Sequence, residues 1–173
     1  MVEVEIDSIR VSLMSQHRVV ILKEVNSERF LSIWIGPYEA EAITVSLQEL
    51  EVSRPLTHDL LRNLLVALGA EVKRVNITEL KDDVFHAHIL ISMNGRELEI
   101  DSRPSDALAL AVRVHVPVFV DEAVMDEAAT EPEAAVEIDN IPEEGTEERL
   151  EVFKDFFESL DLEDIDPEDG DED

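Results

Sequence analysis

Acidic side chains crowd the C-terminal end of this chain, and that crowding bounds the folding unit before any other pattern is read. Residues 1–125 hold 20 acidic and 12 basic side chains, whereas residues 126–173 hold 22 and 2. The stretch from Glu127 to Gly145 is rich in Glu, Ala and Pro and cannot bury enough apolar surface to offset the entropy of ordering it. The hydrophobic core must therefore come from residues 1–125, which suffice for one domain.

The same charge narrows the function classes. With a formal net charge of −28, the chain lacks the basic stripe by which proteins grip nucleic acid through bulk attraction. Cysteine is absent, which removes disulfides, thiolate nucleophiles and sulfur-ligated zinc. No apolar run approaches the roughly 18 to 20 residues needed to span a bilayer. Met1-Val2-Glu3-Val4-Glu5 shows no basic region followed by an apolar one. A cytoplasmic protein with no membrane partner is expected.

Apolar periodicity outlines the elements. Val2/Val4/Ile6 and Ile9/Val11/Leu13 alternate as a strand, Val19-Val20-Ile21-Leu22 reads as a strand covered on both faces, and Phe30 to Ile35 as a third. Gly36-Pro37 opens a helix, because proline at the first helical position loses no hydrogen bond. Ala40, Ile43, Leu47 and Leu50 then make an expected buried stripe. Thr57 is the expected N-cap of a second helix whose apolar face is Leu60, Leu61, Leu64, Leu65 and Leu68, closed by Gly69. Strands follow at 72–80 and 85–93. Asn94-Gly95 is the signature of a type I′ hairpin, which needs positive φ at both positions. A helix over 104–114 is apolar nearly all round, hence buried in a core or an interface. Val116 to Val120 is a short strand and Asp121 to Ala128 a short helix.

The expected architecture is α+β: a single domain over 1–128 with a mixed, largely antiparallel sheet packed by about three helices, at 37–50, 57–68 and 104–114. An acidic linker at 129–145 leads to an amphipathic tail helix at 146–161, carrying Leu150, Phe153, Phe156, Phe157 and Leu160, and a disordered acidic terminus at 162–173. The apolar helix 104–114 and the aromatic tail helix suggest self-association into a homo-oligomer.

Three linked segments carry a family resemblance. They are Leu31-Ser32-Ile33-Trp34-Ile35-Gly36-Pro37-Tyr38-Glu39-Ala40, Arg54-Pro55-Leu56-Thr57-His58-Asp59-Leu60 and Ser102-Arg103-Pro104-Ser105-Asp106-Ala107. In order and spacing they resemble the bifunctional nuclease domain, over about Val2 to Ala128. The tail segment Phe153-Lys154-Asp155-Phe156-Phe157 is similar to tails on actinobacterial-type members. The chain departs from the family at Pro37, where a polar residue is common, and at His115, where glycine is. The resemblance implies hydrolysis of DNA, RNA or both; it brings no catalytic set with it.

The residues themselves suggest one. Asp106 at a helix start is a candidate catalytic residue and metal ligand, with Arg103 and Ser105 to steady a phosphate, since phosphodiester hydrolysis needs activated water and a cation for the developing charge. The plainer reading is a capped helix whose Asp106 suits the helix dipole and pairs with Arg103 or Arg113. The second motif repeats these ingredients: Arg54 as a phosphate clamp, Asp59 as a ligand or catalytic acid, and His58 as a general base. Its plainer reading is again a capped helix. Asp101 and Glu39 complete the candidate ligands for magnesium or manganese; no organic cofactor is expected. His86 and His88 share a strand face at a spacing able to chelate zinc, but no third ligand is evident. Trp34 and Tyr38 are candidates to stack a base, although two aromatics without a basic surround are usually core. The leading expectation is a metal-assisted nuclease of low sequence selectivity. The alternative is a non-enzymatic regulatory or interaction module whose Arg-Pro motifs are structural.

Overall fold

A computed structural model describes residues 1–11 and 18–131. The expectations for the tail helix, the acidic terminus and most of the linker lie outside the described residues.

The chain opens with β1 (Val2–Val11), β2 (Arg18–Glu24) and β3 (Phe30–Ile35), three antiparallel neighbours. Two helices follow, α1 (Pro37–Leu47) and α2 (Thr57–Ala67). Then come β4 (Ala70–Lys81), β5 (Val84–Met93) and β6 (Arg96–Ser102), an antiparallel meander. Helix α3 (Pro104–Val114) leads to β7 (Val118–Val120), α4 (Glu122–Ala128) and β8 (Ala129–Thr130). The eight strands form one sheet in the order β6-β5-β4-β7-β1-β2-β3-β8. Only β4 and β7 run parallel, so the sheet is mixed and largely antiparallel, as expected. Among the described residues, no helix is long and apolar enough to cross a membrane.

Two tight turns set the register of the meander. Asn94 and Gly95 both have positive φ (52° and 74°) and join Met93 directly opposite Arg96, the two-residue hairpin expected of Asn-Gly. Asp82 and Asp83 (φ 51° and 62°) do the same between Lys81 and Val84. Aspartate tolerates the left-handed region better than most residues, but it signals such a turn less strongly than Asn-Gly. Register shifts in β1 between Ile6 and Ser8, and in β4 between Val72 and Arg74 and between Ile77 and Glu79, add the local twist that bulges bring. The sheet curls so far that β3 and β5, separated by four strands, line one pocket.

Helix α3 fills the core. Ala107, Leu108, Ala109, Leu110 and Ala111 are all at most 2 % exposed, packed with residues such as Val20, Ile33, Ile43, Val75 and Ile89. The all-round apolar pattern of α3 is thus spent inside the domain. His115, where the family favours glycine, is the C-cap of α3 in the left-handed conformation, with φ 55°. That conformation explains the preference, since glycine alone takes it without steric cost. At the far edge, Thr130 and Ala129 pair with Phe30 and Leu31, so pairing runs two residues past the expected boundary at 128. Arg29 ties this corner together through Glu24, Glu122 and Asp126.

The two shorter motifs at α1 and α2 depart from expectation. Leu47 and Leu50 are half exposed, because α1 ends at Leu47 and only Ala40, Ala42 and Ile43 reach the core. On α2 the leucines divide: Leu61 and Leu65 pack on the core, while Leu60, Leu64 and Leu68 remain exposed. A helix lying on the outside of α3 has one narrow line of contact, so the wider leucine face cannot all be buried. The prediction is a contrast within one chemistry. Leu108→Ala should cost about 3 kcal/mol through lost burial plus a cavity, and Leu64→Ala less than about 0.5 kcal/mol, both measured by urea unfolding.

Candidate active site

The starts of α1, α2 and α3 converge. Each helix begins after an extended residue (Gly36, Leu56 and Arg103) with no side-chain cap at that position. Each carries an acid at its third position: Glu39, Asp59 and Asp106. Thr57, expected as the N-cap of α2, is instead its first helical residue. The Leu56 N–H donates to the Asp59 carboxylate at 2.9 Å, while leucine, with no side-chain acceptor, caps none of the first-turn N–H groups in return. Three helix starts bring three positive dipole ends and the N–H groups of their first turns, although Pro37 and Pro104 at the first positions of α1 and α3 carry no N–H.

Asp106 stands at the junction. Its Oδ2 accepts from Arg103 Nε at 2.7 Å, and its Oδ1 lies 3.2 Å from His58 Nε2. Arg103 reaches with a second nitrogen to Glu39 Oε1 at 3.0 Å. One guanidinium therefore links the starts of α1 and α3, and one imidazole links α2 to α3. Burial pushes the Asp106 carboxyl up, but the hydrogen bonds from Arg103 and His58 outweigh it and hold the pKa below the ordinary carboxylate value. An ionised carboxylate only accepts, so His58 Nε2 is the donor of this pair. The Asp106 hydrogen bond and charge in turn raise the Arg103 pKa.

The cluster lines a pocket of about 570 Å³ walled by Tyr38, Glu39 and Glu41 of α1, Pro55 to His58 at the start of α2, and Arg103 and Asp106 of α3. His58 is buried, yet Arg103 keeps 66 % of its side chain exposed while held at both ends. Gly36 permits the arrangement. A Cβ there would run into the Glu39 carboxylate, which would be pushed from its place beside Arg103.

Other candidates sit elsewhere. Both Asp59 oxygens are engaged away from the cluster, Oδ2 by the Leu56 N–H and Oδ1 by Arg113 Nε at 2.9 Å. The Arg113 side chain is only 3 % exposed and also donates to the Ala109 carbonyl, so this pair fastens α2 to α3. Asp101 lies on β6 opposite His88. Arg54 is exposed in the bend before α2. Ser105 is buried at the second position of α3 and lines a neighbouring pocket with Trp34. Trp34 and Tyr38, expected as core, are instead 64 % and 82 % exposed. The signal was present in the alternation, since Leu31, Ile33 and Ile35 point inward and turn Trp34 out with Ser32.

The carboxylates expected as metal ligands do not assemble as a set. Glu39 and Asp106 share a guanidinium, Asp59 faces Arg113, and Asp101 is on another strand. Among the described residues, no three His, Asp or Glu gather in a geometry that holds a cation.

A model of the bifunctional nuclease domain matches residues 20–133. The chain belongs to the bifunctional nuclease domain family. An uncharacterized protein of Mycobacterium tuberculosis is 40 % identical over 167 residues, covering 94 % of this chain and 97 % of that one. Bifunctional nuclease 1 of Oryza sativa subsp. japonica is 26 % identical over 111 residues, covering 62 % of this chain and 34 % of that one. Bifunctional nuclease 1 of Arabidopsis thaliana is 26 % identical over 110 residues, covering 61 % and 34 %. In this member of the family, the three motifs that carry the resemblance supply Glu39, His58, and Arg103 with Asp106, the four side chains of the cluster.

The fastening pair gives a test of its own. Burial raises the Asp59 pKa, but the bonds from Leu56 and Arg113 prevail and lower it from the ordinary value of 3.8. The unfolded chain therefore takes up this proton first on acidification. The stabilisation is present above 3.8 and is lost as pH falls through the lower folded value. Asp59→Ala should cost about 3–5 kcal/mol at neutral pH, because Arg113 is left buried and uncompensated. The gap between mutant and wild-type unfolding free energies should narrow as pH falls from 3.8 through the lower folded value; a pH-independent gap would show that the pair does not act this way.

Proposed function

We propose that this domain hydrolyses phosphodiester bonds of DNA or RNA, with Arg103 and the three helix starts holding the phosphate, His58 moving the proton and Asp106 positioning both. The observation that carries this reading is the convergence of three helix N-termini on one pocket that contains a guanidinium and an imidazole. Helix starts favour anions through their unpaired N–H groups and dipoles, and a guanidinium matches a phosphate by two parallel N–H bonds. The names of the plant relatives point to the same class of substrate.

In this reading His58 takes the proton of the attacking water as the new P–O bond forms, and solvent protonates the departing oxygen as the old P–O bond breaks. The Asp106 carboxylate fixes the ring tautomer and stabilises the transient imidazolium. Arg103 and the helix starts stabilise the charge that grows on the phosphate oxygens. Every group named addresses phosphate rather than base edges, which accounts for low sequence selectivity. Magnesium, manganese and EDTA arms of the cleavage assay report whether a divalent cation takes part.

The test is cleavage of single-stranded DNA, duplex DNA and RNA by the purified protein beside three variants. His58→Ala and Asp106→Asn should each lower the rate by about 10²–10⁴-fold, and Arg103→Ala by a similar factor, with urea unfolding as the check that each variant folds. Cleavage undiminished in a folded Asp106→Asn would move the site elsewhere. No cleavage of any substrate by wild type would favour the interaction module.

A further inference from the structure

We propose that a second pocket, on the other side of Arg103 from His58, seats an unpaired nucleobase, so that the domain prefers single-stranded nucleic acid. This inference rests on reading the His58 side of Arg103 as the phosphate site. The second pocket has a volume of about 470 Å³ and lies between the end of β3, the β4–β5 turn and the start of α3. That size falls within the roughly 300–1,000 Å³ typical of small-molecule sites.

Its walls suit an aromatic, weakly polar plate. Trp34 presents its side chain outward, 64 % exposed, and Val84 is 55 % exposed across the pocket. Phe85, packed on the core, extends the apolar wall. Arg103 lines both pockets. A nucleotide has this same build, with an apolar face joined by a sugar to a phosphate, and Arg103 stands where the two parts would meet. Base stacking on an aromatic side chain is tolerant of sequence because every base has a π-face. Inside a duplex those faces are covered by neighbouring base pairs, and only an unpaired base can enter. Ser105 and Asp83, which also line the pocket, add a hydroxyl and a carboxylate for the base edge.

The exposure of these apolar side chains follows from the fold. Trp34 faces out because Ile33 and Ile35 are locked inward by the strand period. Val84 follows directly on the Asp82-Asp83 turn. The curl of the sheet then sets β3 and β5 on two sides of one pocket.

Trp34 is the only tryptophan in the chain, so its fluorescence reports this pocket directly. The experiment titrates the full-length protein with adenosine 5′-monophosphate and with ribose 5-phosphate, neither of which has a phosphodiester to cleave. It then compares a phosphorothioate-linked single-stranded octamer with its duplex. The expected result is saturable quenching by the nucleotide and not by the sugar phosphate, with the single strand binding at least about 10-fold more tightly than the duplex. Val84→Asp, at an exposed position, should weaken nucleotide quenching about 10-fold while leaving the urea midpoint and the unliganded emission unchanged; Leu64→Ala should leave it intact. Equal responses to nucleotide and sugar phosphate, or tighter duplex binding, would overturn the proposal. Cleavage without quenching removes the base pocket and leaves the nuclease reading standing. Quenching without cleavage removes the nuclease reading and leaves a nucleotide-binding pocket.

Discussion

The burial of α3 is the constraint on which the rest of the molecule depends. Its middle turns are sealed beneath the sheet, so both of its ends are fixed in position. The N-terminal end presents Arg103 and Asp106 to the starts of α1 and α2. The C-terminal half carries Arg113, which holds α2 through Asp59. Immediately beyond, the left-handed turn at His115 sends the chain into β7, between β4 and β1 in the sheet. Groups that touch reacting atoms need placement to within about half an ångström, and a helix packed on all sides supplies that rigidity better than a loop.

The site works locally against the global charge. The chain is strongly acidic, yet beyond about 8 Å at physiological ionic strength most surface charge is screened. Inside the pocket the nearest charges and dipoles dominate: Arg103, three helix starts, the two carboxylates that orient the guanidinium, and Glu41 on the wall. For a polyanionic substrate of the proposed kind, such an arrangement would forgo long-range attraction, slow encounter and leave recognition to contacts formed on arrival. The apolar pocket proposed for a base would complement it, because stacking does not depend on the domain's net charge.

Much of the site was legible in the chain because chemistry-bearing residues at helix starts stand next to Pro and Gly punctuation. Gly36-Pro37, Arg54-Pro55 and Arg103-Pro104 mark where helices begin, and the acids that follow suit their dipoles. That logic singled out Glu39, His58, Arg103 and Asp106, which meet. It singled out Asp59 on the same grounds, and Asp59 turns instead to Arg113. Two neighbours on one helix start point in different directions, and a local pattern cannot say which partner lies on each side. Trp34 was misjudged for a related reason. Composition sends a tryptophan to the core, whereas the strand period, once Leu31, Ile33 and Ile35 are anchored, sends it out.

By itself, the sequence determined the elements and their order, because periodicity, turn chemistry and helix punctuation act over a few residues and need no partner. The Asn94-Gly95 hairpin, the strand at Phe30–Ile35 and the helix at Pro104–Val114 all follow from such local rules. Only the tertiary structure decided that three helix starts share one pocket, that β3 and β5 meet around a curled sheet, and that the leucines of α2 divide between core and solvent. These depend on contacts between segments far apart in the chain, through accumulated twist and the competition of several apolar faces for one core, and no short window of sequence contains that information.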